Sequence, residues 1–386
     1  MERRDLFRAG VVGLGAAAFS GVLWREVFAA PAQPGPGPYG ALRPADANGI
    51  QLPSGFTSRV IARSTRTVSG TSYAWHRAPD GGACFADGSG WIYVSNSEVS
   101  ALSGGGASAV RFNSAGGVTG AYRILSNTNI NCAGGATPWG TWLSCEEVTL
   151  GRVFECDPRG VNAAVSRTAM GRFKHEAAAC DPDRRVIYLT EDESTGCFYR
   201  FIPNTWGNLS SGRLQVAVGG SGTSVPITWA NVPDPDGSPT ATRNQVGGVK
   251  RFNGGEGCWY QAGVCYFTTK GDNRVWAYNA GASTIELAYD DSLVSGTPPL
   301  TGVDNITGSS FGDLYVAEDG GNMEICLITP DDVISVFARI TGQSSSEITG
   351  PAFNPAGNRL YFSSQRGTSG SSSGGITYEV TGPFRR

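Results

Sequence analysis

The sequence predicts an all-β fold, a six-bladed β-propeller, and three observations lead there. Amphipathic helical periodicity is scarce, whereas short runs of β-branched and aromatic residues bounded by Gly, Pro, Asn and Asp recur throughout. The chain holds 55 Gly in 386 residues with only 16% charged residues, a usage suited to many tight turns between short strands. One unit of sequence then returns six times, mostly at intervals of about 45 to 50 residues, the period of propeller blades. A large β-sandwich is the alternative, and the regular repeat argues against it.

In chain order, Arg3 and Arg4 precede an apolar run from Ala9 to Leu23, followed by small residues at Ala29, Ala30 and Ala32. Residues 1–32 read as an export signal, and RRDLFR resembles the twin-arginine type. An ordinary secretory signal with chance arginines is the alternative. Residues 33–50 read as a Pro/Gly-rich linker and residues 51–386 as a single propeller domain, opened by a strand from Gly55 to Ala62. The run Ala9 to Leu23 is too short for a membrane anchor, and no other segment could span a bilayer.

The repeated unit is clearest in NCAGGATPWGTWLSCEE, 131–147. It opens on a polar or acidic residue in a Gly-rich stretch, passes through two strands and closes on carboxylates. The other copies start at Pro79, His175, Gly255, Asp304 and Thr349. A Pro/Gly/Ser-rich insertion, Asn204 to Thr242, separates the third and fourth and reads as a surface loop. The terminal strands are expected to complete one blade together, leaving no sheet edge open.

A propeller brings the opening and closing positions of every unit to one end of the central channel. Opening positions hold Asp80, Asn131 with Cys132, His175 with Glu176, Glu256, Asp304 with Asn305, and Thr349. Closing positions hold Asn96 with Glu98, Glu146 with Glu147, Asp192 with Glu193, Asp272, Glu318 with Asp319, and Gln365 with Arg366. Crowded carboxylates raise one another's pKa and are tolerated mainly when cations neutralise them. Oxygen ligands of this kind suit calcium. Any one of these acids alone would more simply end a strand and face water; their recurrence at equivalent positions argues for a site. Cys132 is the one cysteine of nine at an opening position, where a thiolate favours a softer metal such as iron. The other eight fall inside strands and read as small buried hydrophobes, with a disulfide between neighbours open to them.

Other chemistries are excluded more readily. The net charge of -3 gives no basic footprint for nucleic acid. Two histidines, His76 and His175, do not make a His-rich zinc site. Gly308-Ser309-Ser310-Phe311-Gly312 has the hydrolase G-x-S-x-G spacing, but a strand follows it instead of a helix.

NCAGGATPWGTWLSCEE, GRFKHEAAACDP, the EDE at 191–193, KRFNGGEG and FNPAGNRLYFSSQRG together resemble the PhoX family of secreted alkaline phosphatases, over most of the chain after the signal. The resemblance implies a six-bladed propeller exported by the twin-arginine route that hydrolyses phosphomonoesters with iron and calcium. It implies Cys132 as an iron ligand and Glu176 and Glu256 as acidic ligands. Further carboxylate ligands would come from among Glu98, Glu147, Glu193, Asp304, Glu318 and Asp319. Asn-Ser-Glu at 96–98 stands where the resemblance leads one to expect Asn-His-Glu, and Gln365-Arg366 replaces a histidine-containing ending. Glu256 and Arg366 are the catalytic candidates, with Arg366, and after it Lys174, placed to clamp a phosphate; closing a surface turn is the equal alternative for Arg366. The expected partner is a small phosphoester, the expected state a monomer. Two other classes stay open: a calcium-dependent propeller hydrolase of lactones or phosphotriesters, which would not need Cys132, and a non-catalytic secreted propeller that binds a partner or polymer.

Overall fold

The structure, a computed structural model, describes residues 31–386; the export signal proposed for residues 1–32 lies almost wholly outside them. Six sheets, antiparallel except where Gln33–Pro34 joins the fifth in parallel, surround a central axis. Their innermost strands are Pro79–Asp87, Asn131–Ala136, His175–Asp181, Gly255–Gln261, Val303–Gly308 and Ile348–Phe353. Each innermost strand packs against those of the blades before and after it, so the ring is closed. The sixth blade runs Ile348–Phe353, Arg359–Ser364, Ile376–Thr381 and then Thr57–Arg63, so a strand from the start of the domain completes a sheet from its end. Arg59 reinforces this seam with a two-bond pair to the buried Glu379 carboxylate.

The core follows from the two-residue period of the strands. Alternate side chains of a blade face opposite neighbours, and six apolar clusters fill the six gaps between blades. In the fifth blade, Leu314 and Val316 pack towards the fourth blade, while Tyr315 and Ala317 pack towards the sixth. Inter-blade polar contacts add to this. Asn96 donates to Cys132 O (3.2 Å) and Ala133 O (2.8 Å), Thr190 donates to Glu256 O (2.5 Å), and Thr268 donates to Asp304 O.

Two expectations need correction. The stretch 33–50 is not a free linker: Gln33–Pro34 and Ile50–Gln51 both pair with Val333–Ile340 of the fifth blade. The insertion is not simply a loop. Asn208–Val218 and Thr228–Asn231 extend the third blade outward, and Val225–Pro226 adds to the edge of the fourth. Its polar composition hides strands that have one solvated face. Ser309 to Asp313 forms a tight turn between strands, so the G-x-S-x-G spacing is structural.

Candidate functional site

Every innermost strand carries a register shift near its start. Between Pro79 and Gly82, Asn131 and Gly134, His175 and Ala178, Gly255 and Cys258, and Val303 and Ile306, two residues oppose one on the neighbouring strand. In the sixth blade the shift is displaced one residue, between Thr349 and Ala352. A bulge of this kind re-aims a side chain. The residues lifted out of the ladder are Asp80, Cys132, Glu176, Glu256 and Asp304, the second residue of each strand. The next residue is small in most blades so that the strands can meet at the axis. A Cβ on Gly81 would lie 2.5 Å from Ala133 Cα, and one on Gly257 would lie 2.6 Å from Ile306 N.

The second strands end at Ser97, Glu146, Glu191, Thr269, Glu318 and Ser364. In three blades this last residue is a glutamate that turns back into the protein. Glu146 accepts from Asn129 N and Arg152 N, Glu191 from Cys197 N and Tyr199 OH, and Glu318 from Thr301 N and Glu324 N. The residue after it heads towards the channel mouth: Glu98, Glu147, Asp192, Lys270, Asp319 and Gln365.

These two rings enclose a cavity of about 160 Å³. It is lined by Asp80, Cys132, Glu256 and Asp304 from the bulges and by Glu98, Glu147, Lys270, Asp319 and Gln365 from the strand ends; Glu347 and Arg366 complete it. Seven carboxyl groups face two cations. Ligand-capable atoms of Glu98, Cys132 and Glu147 lie within 4.8 Å of one another, and so do those of Glu176, Glu256 and Asp304.

Of the ten residues singled out in the sequence as catalytic or metal-binding, eight lie in or against this cavity. Glu193 and Glu318 do not. Glu193 is turned outward to Arg243 at 3.5 Å, and Glu318 is one of the three inward-turned glutamates, with both carboxylate oxygens taken by backbone N–H groups. Asp272 is also displaced, accepting from Thr269 Oγ1 and pairing with Arg274. Lys174 lies 3.0 Å from Glu147 and 2.8 Å from Asp192. His175 is a packing residue, stacked on Phe173 and bonded to Gly171 O. Lys270 and Glu347 were not foreseen. Lys270 Nζ stands 3.1 Å from Glu256 and 3.2 Å from Asp319, and Glu347 lies 2.8 Å from Arg366.

The electrostatics are those of an overfilled anionic site. Burial, then the charge of Glu98, pushes the Asp80 carboxyl well above its usual range. Burial, then Glu256, does the same to Glu176, and burial, then Glu256, to Asp304. Burial carries Glu256 up to about 8 despite Lys270, and Glu147 to about 7 despite Lys174. The Cys132 thiol is raised by burial and by Asp80, Glu176, Glu147 and Glu98. Glu347, pushed by burial to about 10, shares a hydrogen bond with Asp319. Gln365 bridges Asp80 and Glu98 at 2.6 and 2.5 Å, taking the place of the expected histidine.

Glu176 tests whether cations fit. It is fully buried and neither carboxylate oxygen has a hydrogen-bond partner. Buried polar groups are otherwise paired almost without exception, and an unpaired buried carboxylate is very costly. An ion held with Glu256 and Asp304 would satisfy it. The donor set matches hard cations at that group and a softer metal at Cys132. All nine cysteines are free, and the sulfurs of Cys258 and Cys265 lie 3.4 Å apart.

A family model described as alkaline phosphatase PhoX matches residues 89–152 and 148–367. A search of curated proteins finds no match. Among solved structures, Pseudomonas fluorescens PhoX in complex with vanadate, a transition state analogue, is similar. It has a TM-score of 0.71 at 19% identity, over 88% of this chain and 97% of that one. A gluconolactonase from Xanthomonas campestris has a TM-score of 0.51 at 13% identity, over 90% and 99% of the two chains. At these identities the structures show the shared propeller; the family match spans most of the chain. The chain belongs to the alkaline phosphatase PhoX family.

Proposed function

We propose that the cavity hydrolyses small phosphomonoesters with the help of iron and calcium, and that the protein is exported by the twin-arginine route and works as a monomer. The family match supports the phosphatase over the lactonase and binding alternatives. The observation that carries the metal dependence is the buried, unpartnered Glu176 beside Glu256 and Asp304. These three would hold calcium; Cys132, with Glu98 and Glu147, would hold iron. Bound cations supply Lewis-acid charge that offsets the negative charge of the phosphoryl group.

The remaining work falls to side chains of this chain. Arg366 is held by Glu347 and leaves donors for a phosphate oxygen, a charge-assisted contact. Lys270 directs two interactions to Glu256 and Asp319 and keeps a third N–H for the ester. The small residues after the bulges, including Gly81, Ala133, Ala177 and Gly257, line a separate hollow of about 30 Å³ that shares no lining residue with the acidic cavity. Among the described residues no helix is long and apolar enough to cross a membrane.

The test is metal analysis of purified protein followed by a phosphomonoester assay. Iron together with calcium and turnover that is lost on chelation are expected. Absence of turnover in the fully loaded protein would overturn the phosphatase reading, and activity that survives complete metal removal would overturn the metal dependence.

A further inference from the structure

Beside the cavity lies a second hollow of about 260 Å³, on the same end of the propeller. Lys174 and Glu147 separate the two: Lys174 lines the hollow, Glu147 lines the cavity, and they are 3.0 Å apart. Its outer wall is the returning end of the insertion, pinned by Arg172 N to Pro235 O at 2.8 Å and by Arg243 to Glu191 at 2.9 Å. Resting on the phosphomonoesterase reading above, we propose that this hollow is the leaving-group subsite, and that it takes a leaving group carrying its own phosphate or carboxylate.

The charge balance of the lining points to a second anion. Three cations face the hollow, Arg172, Lys174 and Arg243, against one carboxylate, Glu193. Lys174 is neutralised by Glu147 and Asp192, and Arg243 by Glu191 and Glu193. Arg172 has no carboxylate within ion-pair distance among the described residues. It is half-buried, and its guanidinium makes one hydrogen bond, from Nε to Leu150 O at 3.3 Å. Its terminal nitrogens stay available, and a guanidinium is suited to two parallel bonds with a phosphate or carboxylate. Leu150, Phe173 and Pro239 supply apolar walls for the carbon skeleton between the two anions.

The probe is a series of α,ω-alkanediol bisphosphates of increasing length, each compared with its own monophosphate. At the best length the bisphosphate should show kcat/KM roughly tenfold above the monophosphate, about 1.4 kcal/mol, beyond the factor of two for its two ends. In Arg172→Gln that ratio should fall to the factor of two, and Arg172→Lys should restore part of it. Leu150→Glu should lower it independently, by repulsion. A wild-type ratio near two at every length, or one that survives Arg172→Gln, overturns the proposal. If neither ester is turned over, the phosphatase reading fails instead. Calorimetric binding to metal-loaded protein then still decides the subsite: tighter bisphosphate binding lost in Arg172→Gln supports it, and equal binding of both esters overturns it.

Discussion

Lys270 Nζ lies 3.1 Å from Glu256 Oε1, from a position where the first, second, third and fifth blades carry a carboxylate. The ammonium occupies charge space that a further cation would otherwise fill. In Lys270→Gln, calcium affinity should rise roughly tenfold, because a competing charge is gone, while turnover falls through loss of a phosphate contact. Calcium titration followed by melting, alongside an activity assay, measures both. Unchanged calcium affinity would show that Lys270 and the ion do not compete.

Glu176→Gln should imitate chelation. The amide keeps the size of the side chain but loses the charge that holds an ion, so turnover should drop at least roughly a hundredfold, about 2.7 kcal/mol. Cations that bind only the folded protein stabilise it by about 2.7 kcal/mol at a hundred times their Kd. The calcium-dependent rise in melting temperature should therefore shrink in the variant. Retention of the wild-type rise would remove Glu176 from the ligand set.

Cys132→Ser should lose iron while keeping calcium at the Glu176 group. Any visible thiolate-to-iron absorption should disappear with it. The decisive reading is metal content: a variant with full iron shows that Cys132 is a packing residue.

The pH dependence of the metal-free protein has a defined sign. Burial raises Glu147 to about 7, Glu256 to about 8 and Glu347 to about 10, each above its unfolded value. A raised carboxyl binds its proton more tightly in the folded state. Its contribution is complete below the unfolded pKa of about 4.5 and is lost as pH climbs through the folded value. Metal-free protein should thus melt progressively lower from about pH 5 towards pH 9. Saturating cations displace those protons and should flatten or reverse the trend. A metal-free melting temperature that rises over this range would contradict the buried-carboxyl account.

Glu318→Gln separates structural from functional acids. One of the two backbone N–H groups now bound by Glu318 would meet an amide NH₂, a loss of about 1–3 kcal/mol. Stability should fall by that amount with metal content unchanged. Loss of metal with little loss of stability would return Glu318 to the site.

Much of this was legible in the sequence because the repeat has a period. Opening and closing residues could be aligned across units, which brought Asp80, Cys132, Glu176, Glu256 and Asp304 to equivalent places before any coordinates. What composition does not carry is the phase at the end of a strand. Glu146, Glu191 and Glu318 turn inward and their successors turn to the channel mouth, so Glu318 and Glu193, named as ligands from the sequence, each stand one residue from the position that heads there. Lys270 lies outside any pattern of acids: Asp272 is the acid that follows this strand, whereas counting from the strand end at Thr269 leads to Lys270. Glu347 lies just before its strand and outside the repeated unit as drawn. The strands of the insertion were hidden because their outer residues are polar or glycine.

The sharing of the sixth blade between Thr57–Arg63 and Ile376–Thr381 has a consequence for biosynthesis. On the ribosome the first strand emerges more than 300 residues before its partner, so its edge waits unpaired for nearly the whole of translation. The ions would draw their ligands from the first five blades, and their field is complete only when the ring shuts. Metal insertion is then a late event, and a cell that makes this protein needs its cations wherever the last strand docks.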